Sequence, residues 1–78
     1  MKWISVDSSN VDSIAYDKQN KFIYVKFRND RGYDSTNRIY RYPGCSEQEF
    51  NEFLNCDSKG QYVYYVLRPN HGDGERIQ

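Results

Sequence analysis

Arg38-Ile39-Tyr40-Arg41-Tyr42-Pro43 is the stretch around which the rest of the chain is organised. Side chains alternate along a β-strand, so Tyr40 and Tyr42 lie on one face of this strand together with Arg38. Pro43 and the glycine after it stop the strand. Short strand-like segments precede the stretch, and a helix, a polar turn and a second aromatic-rich segment follow it.

The length and composition predict one small domain. A chain of 78 residues is too short for two domains and has a modest core, so self-association would help its stability. Eight tyrosines raise the aromatic share to 17%. A tyrosine supplies both buried area and a polar tip, which suits a core or a binding surface.

The charge balance bears on the class of partner. Eleven Lys and Arg residues match eleven Asp and Glu residues, whereas a protein that binds a long nucleic acid usually has a basic excess. A small ligand with two or three phosphates needs only a local cluster of cations. Neutrality also permits copies of the chain to associate, so we expect a homo-oligomer.

Catalytic and metal chemistry have little support. Cys45 and Cys56 lie on either side of a predicted helix, which is not metal-ligand spacing, and His71 is the single histidine. Cys45 lies near a helix N-terminus, where a thiolate would be stabilised, but His71 is predicted in a flexible tail. We therefore expect no enzyme activity, no metal and no cofactor.

The chain shows neither a signal peptide nor an apolar run long enough to span a bilayer. We accordingly expect a cytoplasmic protein with reduced thiols and without a membrane partner.

Alternating side chains predict the strands. Residues 2–6 and 13–17 form short strands, and the polar turn at residues 17–20 predicts a hairpin to residues 21–28. In that third strand Ile23, Val25 and Phe27 share the core face. Its other face carries Phe22, Tyr24, Lys26 and Arg28, and is either a solvated or a binding face. Residues 29–37 are predicted as a long loop, after which residues 38–42 run back beside the third strand.

Two segments have helical features. Ser46 and Glu49 form a capping box, and Phe50, Phe53 and Leu54 follow at helical spacing. Residues 61–68 are rich in Tyr and Val, which favours a strand. The same residues also present one helical face, formed by Tyr62, Val63, Val66 and Leu67. Pro69 is predicted to end the element in either case, leaving residues 69–78 as a polar flexible tail.

The chain resembles the KTSC domain family, named from the C-terminus of some lysyl-tRNA synthetases. The resemblance rests on the order of short segments, namely residues 8–11, 14–17, 22–27, 40–42 and 58–62. It implies one KTSC-like domain over residues 1–68, with an α+β fold: an antiparallel sheet of about four short strands followed by two helices. It also implies relatives in bacteria and phages, a helix over residues 58–68, an RNA- or nucleotide-binding role and no enzyme.

Two features suggest where an anionic ligand would bind. If Ser58 caps a helix, Lys59 and Gly60 present backbone N–H groups and one positive charge at its N-terminus. The alternative is an ordinary helix cap. Tyr40 and Tyr42 would stack a base, with cations beside them, or would instead pack under the helices. The predicted nucleotide-binding residues are Arg28, Arg38, Tyr40, Tyr42, Ser58, Lys59 and Gly60.

The leading hypothesis is a non-enzymatic nucleotide-binding protein. Its most specific form is a phage-encoded protein that sequesters a cyclic-nucleotide immune signal in the host cytoplasm, as a homo-oligomer. One alternative is an RNA-binding module, which net charge does not favour. Another is a protein-interaction adaptor that uses Trp3 and surface tyrosines.

Overall fold

A five-stranded antiparallel sheet and two helices form the domain. The computed structural model describes residues 1–28 and 38–78, so the loop predicted at residues 29–37 lies outside the described residues. The strands follow one another in the sheet in chain order. They are β1 Ile4–Ser5, β2 Val11–Asp17, β3 Phe22–Phe27, β4 Ile39–Tyr42 and β5 Glu75–Arg76. The predicted α+β class is therefore confirmed, and the described residues form five strands where about four were predicted.

The sheet register brings the predicted core face of β3 against the tyrosine face of β4. Val25 pairs with Tyr40 and Ile23 pairs with Tyr42, so these side chains point to the same side of the sheet. The two helices cover that side. Most of the core lies between the two layers, and its buried residues include Val11, Ile14, Ile23, Val25, Tyr42, Phe50, Phe53, Val63 and Leu67.

The hairpin between β2 and β3 forms as predicted from the polar turn at residues 17–20. The Asp17 carboxylate accepts hydrogen bonds from the backbone N–H groups of Gln19 and Asn20, at 3.1 and 3.2 Å. These bonds satisfy donors that the turn leaves without strand partners. The next residue, Lys21, has a φ of 63° and returns the chain into β3.

Helix α1 spans Glu47–Asn55 and begins with the predicted capping box. Ser46 Oγ accepts a hydrogen bond from the Glu49 N–H, and Glu49 Oε1 accepts one from the Ser46 N–H, both at 3.1 Å. Phe50 and Phe53 turn their rings into the core, as their spacing predicted. Local sequence therefore sets both where this helix starts and which face it buries.

Residues 59–71 form a second continuous helix, α2, which settles the choice between strand and helix. It consists of an α-helical Lys59–Tyr62, a π-helical Val63–Leu67 and an α-helical Arg68–His71. Ser58 caps it, because its side chain accepts from the Gln61 N–H at 3.3 Å. Val63 and Leu67 are buried against the sheet, and this burial outweighs the strand propensity of the segment.

The prediction that Pro69 ends the element is wrong, since α2 continues through Pro69 to His71. A proline in a helix interior lacks an N–H and its ring crowds the carbonyl of the preceding turn. Here the turn before it is π-helical, with the Arg68 N–H bonded to the Val63 carbonyl five residues back. Pro69 thus lies in the first turn of the final α-helical segment, where a missing donor costs least.

Residues 69–78, predicted as a flexible tail, contain the end of α2 and the short strand β5. Strand β5 pairs with β4 in the register Tyr40 to Arg76 and Arg41 to Glu75. The Ile77 N–H donates to the Ile39 carbonyl at 2.8 Å. The free edge of β4 therefore pairs with residues near the C-terminus, although the polar composition of these residues indicated a loop.

Across residues 1–28 and 38–78, no helix combines the length and the apolar character that crossing a membrane requires.

Candidate functional site

An open groove of about 600 Å³ runs between the inner face of the sheet and α2. Its volume is in the range of small-molecule binding sites. The described residues that line it are Asn10, Phe27, Arg28, Arg38, Tyr40, Tyr42, Gly60, Val63, Tyr64, Arg68, Asp73 and Gly74. Five of the predicted nucleotide-binding residues belong to this set, namely Arg28, Arg38, Tyr40, Tyr42 and Gly60. Ser58 and Lys59 do not.

One wall of the groove joins Arg38 and Tyr40 to an aromatic residue of β3. The Tyr40 ring packs edge-to-face on Phe27 with centroids 5.7 Å apart. The Arg38 guanidinium carbon lies 5.9 Å above the same Phe27 ring. Tyr40 is half-buried and Arg38 is exposed, so this wall offers both an aromatic surface and a positive charge to the groove.

The opposite wall comes from α2 and contains two residues that the sequence analysis missed. Tyr64 and Arg68 are four residues apart, hence on neighbouring turns of the same helix face. The Arg68 guanidinium carbon lies 5.1 Å above the Tyr64 ring, which is 59% exposed. If residues 61–68 are read as a helix, Tyr64 and Arg68 lie outside the apolar face formed by Tyr62, Val63, Val66 and Leu67. That signal was available only once a helix was chosen over a strand.

Tyr42 does not provide a free ring for stacking. It is 2% exposed, and its burial raises the pKa of the phenol. Gly74 lies so close to it that a Cβ there would come within 2.7 Å of the Tyr42 ring. The alternative in which the rings pack under the helices thus holds for Tyr42, whereas Tyr40 is half-buried and packs against the edge of the core.

Arg28 lies at the groove edge but its guanidinium is already occupied. It donates to the Ser8 carbonyl at 2.7 Å and to the Val6 carbonyl at 3.2 Å, and it pairs with Asp12 at 3.3 Å. It therefore holds the segment between β1 and β2 in position. Tyr24, considered alongside it in the sequence, lies on the other face of the sheet from Tyr40.

Lys59 points away from the groove. Its side chain is buried, and Nζ donates a 2.6 Å hydrogen bond to the Cys56 carbonyl at the end of α1. Gly60 does line the groove, yet an ideal Cβ on it would lie 3.0 Å from Asn10 Nδ2. The Asn10 amide thus covers the position at which a close phosphate was expected. The Lys59 ammonium group, which was predicted to add a charge at an anion site, is therefore engaged within the domain, while Ser58 caps the helix as predicted.

The thiol of Cys45 has the opposite character from the one predicted. The residue is fully buried, and burial raises the pKa of the thiol to about 11. Its Sγ donates to the Tyr42 carbonyl at 3.3 Å. A helix N-terminus stabilises a thiolate only where solvent or cations offset the cost of burial, so the expectation of a stabilised thiolate is wrong.

His71 lies at the end of α2 and contacts Glu49 of α1. Its Nε2 lies 2.6 Å from Glu49 Oε2, and its side chain is 11% exposed. Burial pushes the pKa of Glu49 upward, but hydrogen bonds with His71 and Ser46 outweigh burial and lower it. The pair links the end of α2 to the start of α1. Within the described part of the chain, no group of three His, Cys, Asp or Glu residues could hold a metal ion.

The outer face of the sheet is aromatic as well, but cations lie over two of its rings. Lys26 Nζ lies 4.9 Å above the Trp3 ring, and the Arg41 guanidinium carbon lies 4.6 Å above the Phe22 ring. Trp3 also packs edge-to-face on Tyr24 with centroids 6.3 Å apart. Trp3 and Phe22 are half-buried, whereas Tyr64 on the groove is exposed although Arg68 lies over its ring.

Comparison with known proteins identifies the class of this fold. The KTSC domain family model matches residues 7–71, most of the chain. The protein therefore belongs to the KTSC domain family.

Two relatives extend this result. A crystal structure of a KTSC domain protein from Yersinia pestis superposes with a TM-score of 0.76 at 28% identity, over 99% of this chain and 97% of that one. An uncharacterized protein of Stutzerimonas stutzeri is 28% identical over 71 residues, which are 91% of this chain and 90% of that protein.

Proposed function

We propose that this protein is a non-enzymatic nucleotide-binding protein whose ligand lies in the groove between β4 and α2. One observation carries the proposal: Arg38 and Tyr40 of the central motif line the same concavity as Tyr64 and Arg68 of α2. The sheet and α2 each contribute one tyrosine ring and one guanidinium group to the lining of the same groove.

The chemistry of these side chains suits a phosphorylated aromatic ligand. The rings of Tyr40 and Tyr64 supply surfaces for stacking a base. The guanidinium groups of Arg38 and Arg68 match the geometry of phosphate oxygens. Asn10 adds an amide, whose donor and acceptor atoms can recognise the edge of a base or a sugar hydroxyl.

Charge favours a small ligand over a nucleic-acid strand. The chain has no net charge, and phosphate neutralisation by excess cations dominates the affinity of proteins for long RNA or DNA. An RNA-binding module remains the second candidate, on the strength of the same arginines and tyrosines. It predicts steep salt dependence, which a small ligand with one or two phosphates does not.

The more specific form of the proposal is sequestration of a cyclic-nucleotide immune signal. Sequestration requires binding without turnover, which fits a groove bordered by stacking rings and guanidinium groups. In this form the protein is phage-encoded, acts as a homo-oligomer in the cytoplasm of the host, and completes its sites between subunits. The small neutral chain and the relatives in bacteria and phages that the family resemblance implies motivate this version.

Thermal shift and isothermal titration calorimetry test the proposal directly. The panel contains cyclic dinucleotides, linear mononucleotides and a structured RNA, at physiological salt. A ligand at 100 times its dissociation constant stabilises the fold by about 2.7 kcal/mol. In a domain of this size that raises the melting temperature by on the order of 10 °C. A shift with RNA alone would favour the RNA-binding candidate, and no shift with any nucleotide would overturn the proposal.

A matched pair of variants locates the site. Tyr64 and Tyr65 are adjacent and similarly exposed, at 59% and 68%, and their rings contact each other. Of the two, only Tyr64 lines the groove. Tyr64→Ala should weaken binding by about 1–3 kcal/mol, the value of one stacked base, whereas Tyr65→Ala should change it little. Equal losses in both variants would exclude the groove as the site.

A second pair tests the positive charge. Arg38→Gln removes a guanidinium from the groove, and Lys18→Gln removes an exposed charge in the β2–β3 turn, at the other end of the sheet. Only the first substitution should weaken binding.

A further inference from the structure

Asp73 lies at the rim of the groove and occupies the guanidinium of Arg68. Arg68 Nε and Nη2 both lie 3.2 Å from Asp73 Oδ1. The two side chains are 44% and 85% exposed, and both residues line the groove. A protein carboxylate therefore holds the hydrogen-bond donors that an anionic ligand would use.

The backbone around Asp73 sets the carboxylate at this position. It lies between Gly72 and Gly74, whose φ values of 88° and 83° belong to a region that favours glycine. This turn connects the end of α2 to β5, and β5 is bound to β4. Asp73 is thus held from both sides beside the groove.

The other two arginines among the described groove residues, Arg28 and Arg38, are placed differently from Arg68 relative to the Asp73 carboxylate. Arg28 is engaged by two carbonyls and by Asp12. Arg38 lies on the sheet wall above Phe27, whereas Asp73 and Arg68 belong to the α2 side. A phosphate that approaches Arg68 must share that guanidinium with the carboxylate, or displace it.

We propose that Asp73 determines ligand specificity by selecting against highly charged phosphates. The inference rests on the proposed function and names the ligand class of the groove: phosphodiesters, which carry one negative charge per phosphorus. A terminal phosphate carries about −1.5 to −2 at neutral pH, so its repulsion by Asp73 is larger. Cyclic nucleotides contain diesters alone, and their linear 5′-phosphorylated forms add a terminal phosphate to the same bases.

The test compares matched ligands on two proteins. Dissociation constants are measured by calorimetry, without divalent cations, for a cyclic dinucleotide and for its linear 5′-phosphorylated form, with adenine and with guanine bases. We expect the wild type to prefer the cyclic form. Asp73→Asn should bind the linear form more tightly by about fivefold or more, the value of one unit charge at contact distance in water. The gain for the cyclic form should be smaller.

Two controls separate a local effect from a general one. Asp57→Asn removes an exposed charge between the two helices, away from the groove lining, and should leave both affinities unchanged. In an Arg68→Gln background, Asp73→Asn should still tighten binding of the linear form, because the Asp73 carboxylate repels the terminal phosphate directly; loss of the effect in that background would overturn selection by repulsion.

The outcomes distinguish the two proposals. The wild type could bind nucleotides while Asp73→Asn leaves the affinities unchanged, or changes them equally for both ligand forms. This result would overturn the role of Asp73 and keep the groove as a nucleotide site. Absence of binding by both proteins to every nucleotide tested would overturn the proposed function and this inference together.

Discussion

The ammonium group of Lys59 donates a 2.6 Å hydrogen bond to the carbonyl oxygen of Cys56, the C-cap residue of α1. The last carbonyls of a helix lack intrahelical donors and carry partial negative charge. Lys59 supplies both a donor and a positive charge there, while it is itself the first residue of the next helix. It therefore joins the two helices, which accounts for the burial of a lysine side chain.

Lys59→Met should destabilise the fold without affecting ligand binding. Methionine fills similar volume but leaves the Cys56 carbonyl without its charged donor, which costs about 1.5–3 kcal/mol. Urea denaturation measures this loss, and Lys18→Met in the exposed hairpin turn is the control, expected within about 0.5 kcal/mol of wild type. If Lys59→Met kept its stability but lost nucleotide affinity, Lys59 would be a ligand-binding residue and not a structural one.

Gly74→Ala should cost more stability than Gly72→Ala. Both glycines have positive φ, so each substitution strains the backbone by about 1–3 kcal/mol. A Cβ at residue 72 meets no atom within 4 Å, whereas one at residue 74 lies 2.7 Å from the ring of Tyr42. Overpacking should add about 1–3 kcal/mol.

Urea midpoints measure both glycine variants. Amide exchange at Ile77, whose N–H is bonded to β4, reports on the attachment of β5. Equal losses in the two variants would mean that the Tyr42 ring moves aside freely.

Glu49→Gln should make the protein less sensitive to acid. The pKa of Glu49 in the fold lies below its ordinary value of 4.5, so its ionised form is stabilised by folding. That contribution is complete above pH 4.5 and is lost as the pH falls through the lowered pKa of the folded state. At pH 7 the variant should be less stable by about 1–2 kcal/mol, because a charge-assisted hydrogen bond is replaced by a neutral one.

The measurement is the free energy of unfolding from pH 7 down to pH 3, where the difference from wild type should shrink. Glu47→Gln, an exposed residue in the same helical turn, serves as the control. Parallel curves for wild type and Glu49→Gln would show that the His71–Glu49 contact contributes nothing specific.

Cys45 should resist alkylation while the protein is folded. The thiolate is the reactive form, and the pKa of about 11 together with full burial keeps Cys45 protonated at pH 8. Its labelling by iodoacetamide should be about a hundredfold slower than in urea, from ionisation alone. Cys56, which is half-buried, should label first, and Cys45→Ala identifies the two signals in mass spectra. Rapid labelling of native Cys45 would contradict its position in the core.

Contacts close in sequence could be predicted because their physical causes are local. The β2–β3 turn follows from Asp17 and the amides beside it, and the start of α1 follows from Ser46 and Glu49. Alternation along β3 correctly identified the buried Ile23 and Val25. Alternation along β4 likewise placed Arg38 and Tyr40 on one face of that strand, and the sheet register shows that this face is the helix-facing one.

The sequence by itself thus determined the class of the fold, the order of most of its elements and the shared face of Arg38 and Tyr40 on β4. The helix that the family resemblance implied over residues 58–68 is present, but only the tertiary structure decided that it continues through Pro69 to His71, that the last residues form β5, and that Lys59 points to α1. It also brought Tyr64 and Arg68 opposite the sheet. These outcomes depend on which apolar faces meet and which strand edge remains open, and such contacts join residues far apart in the chain, where local propensity carries no information.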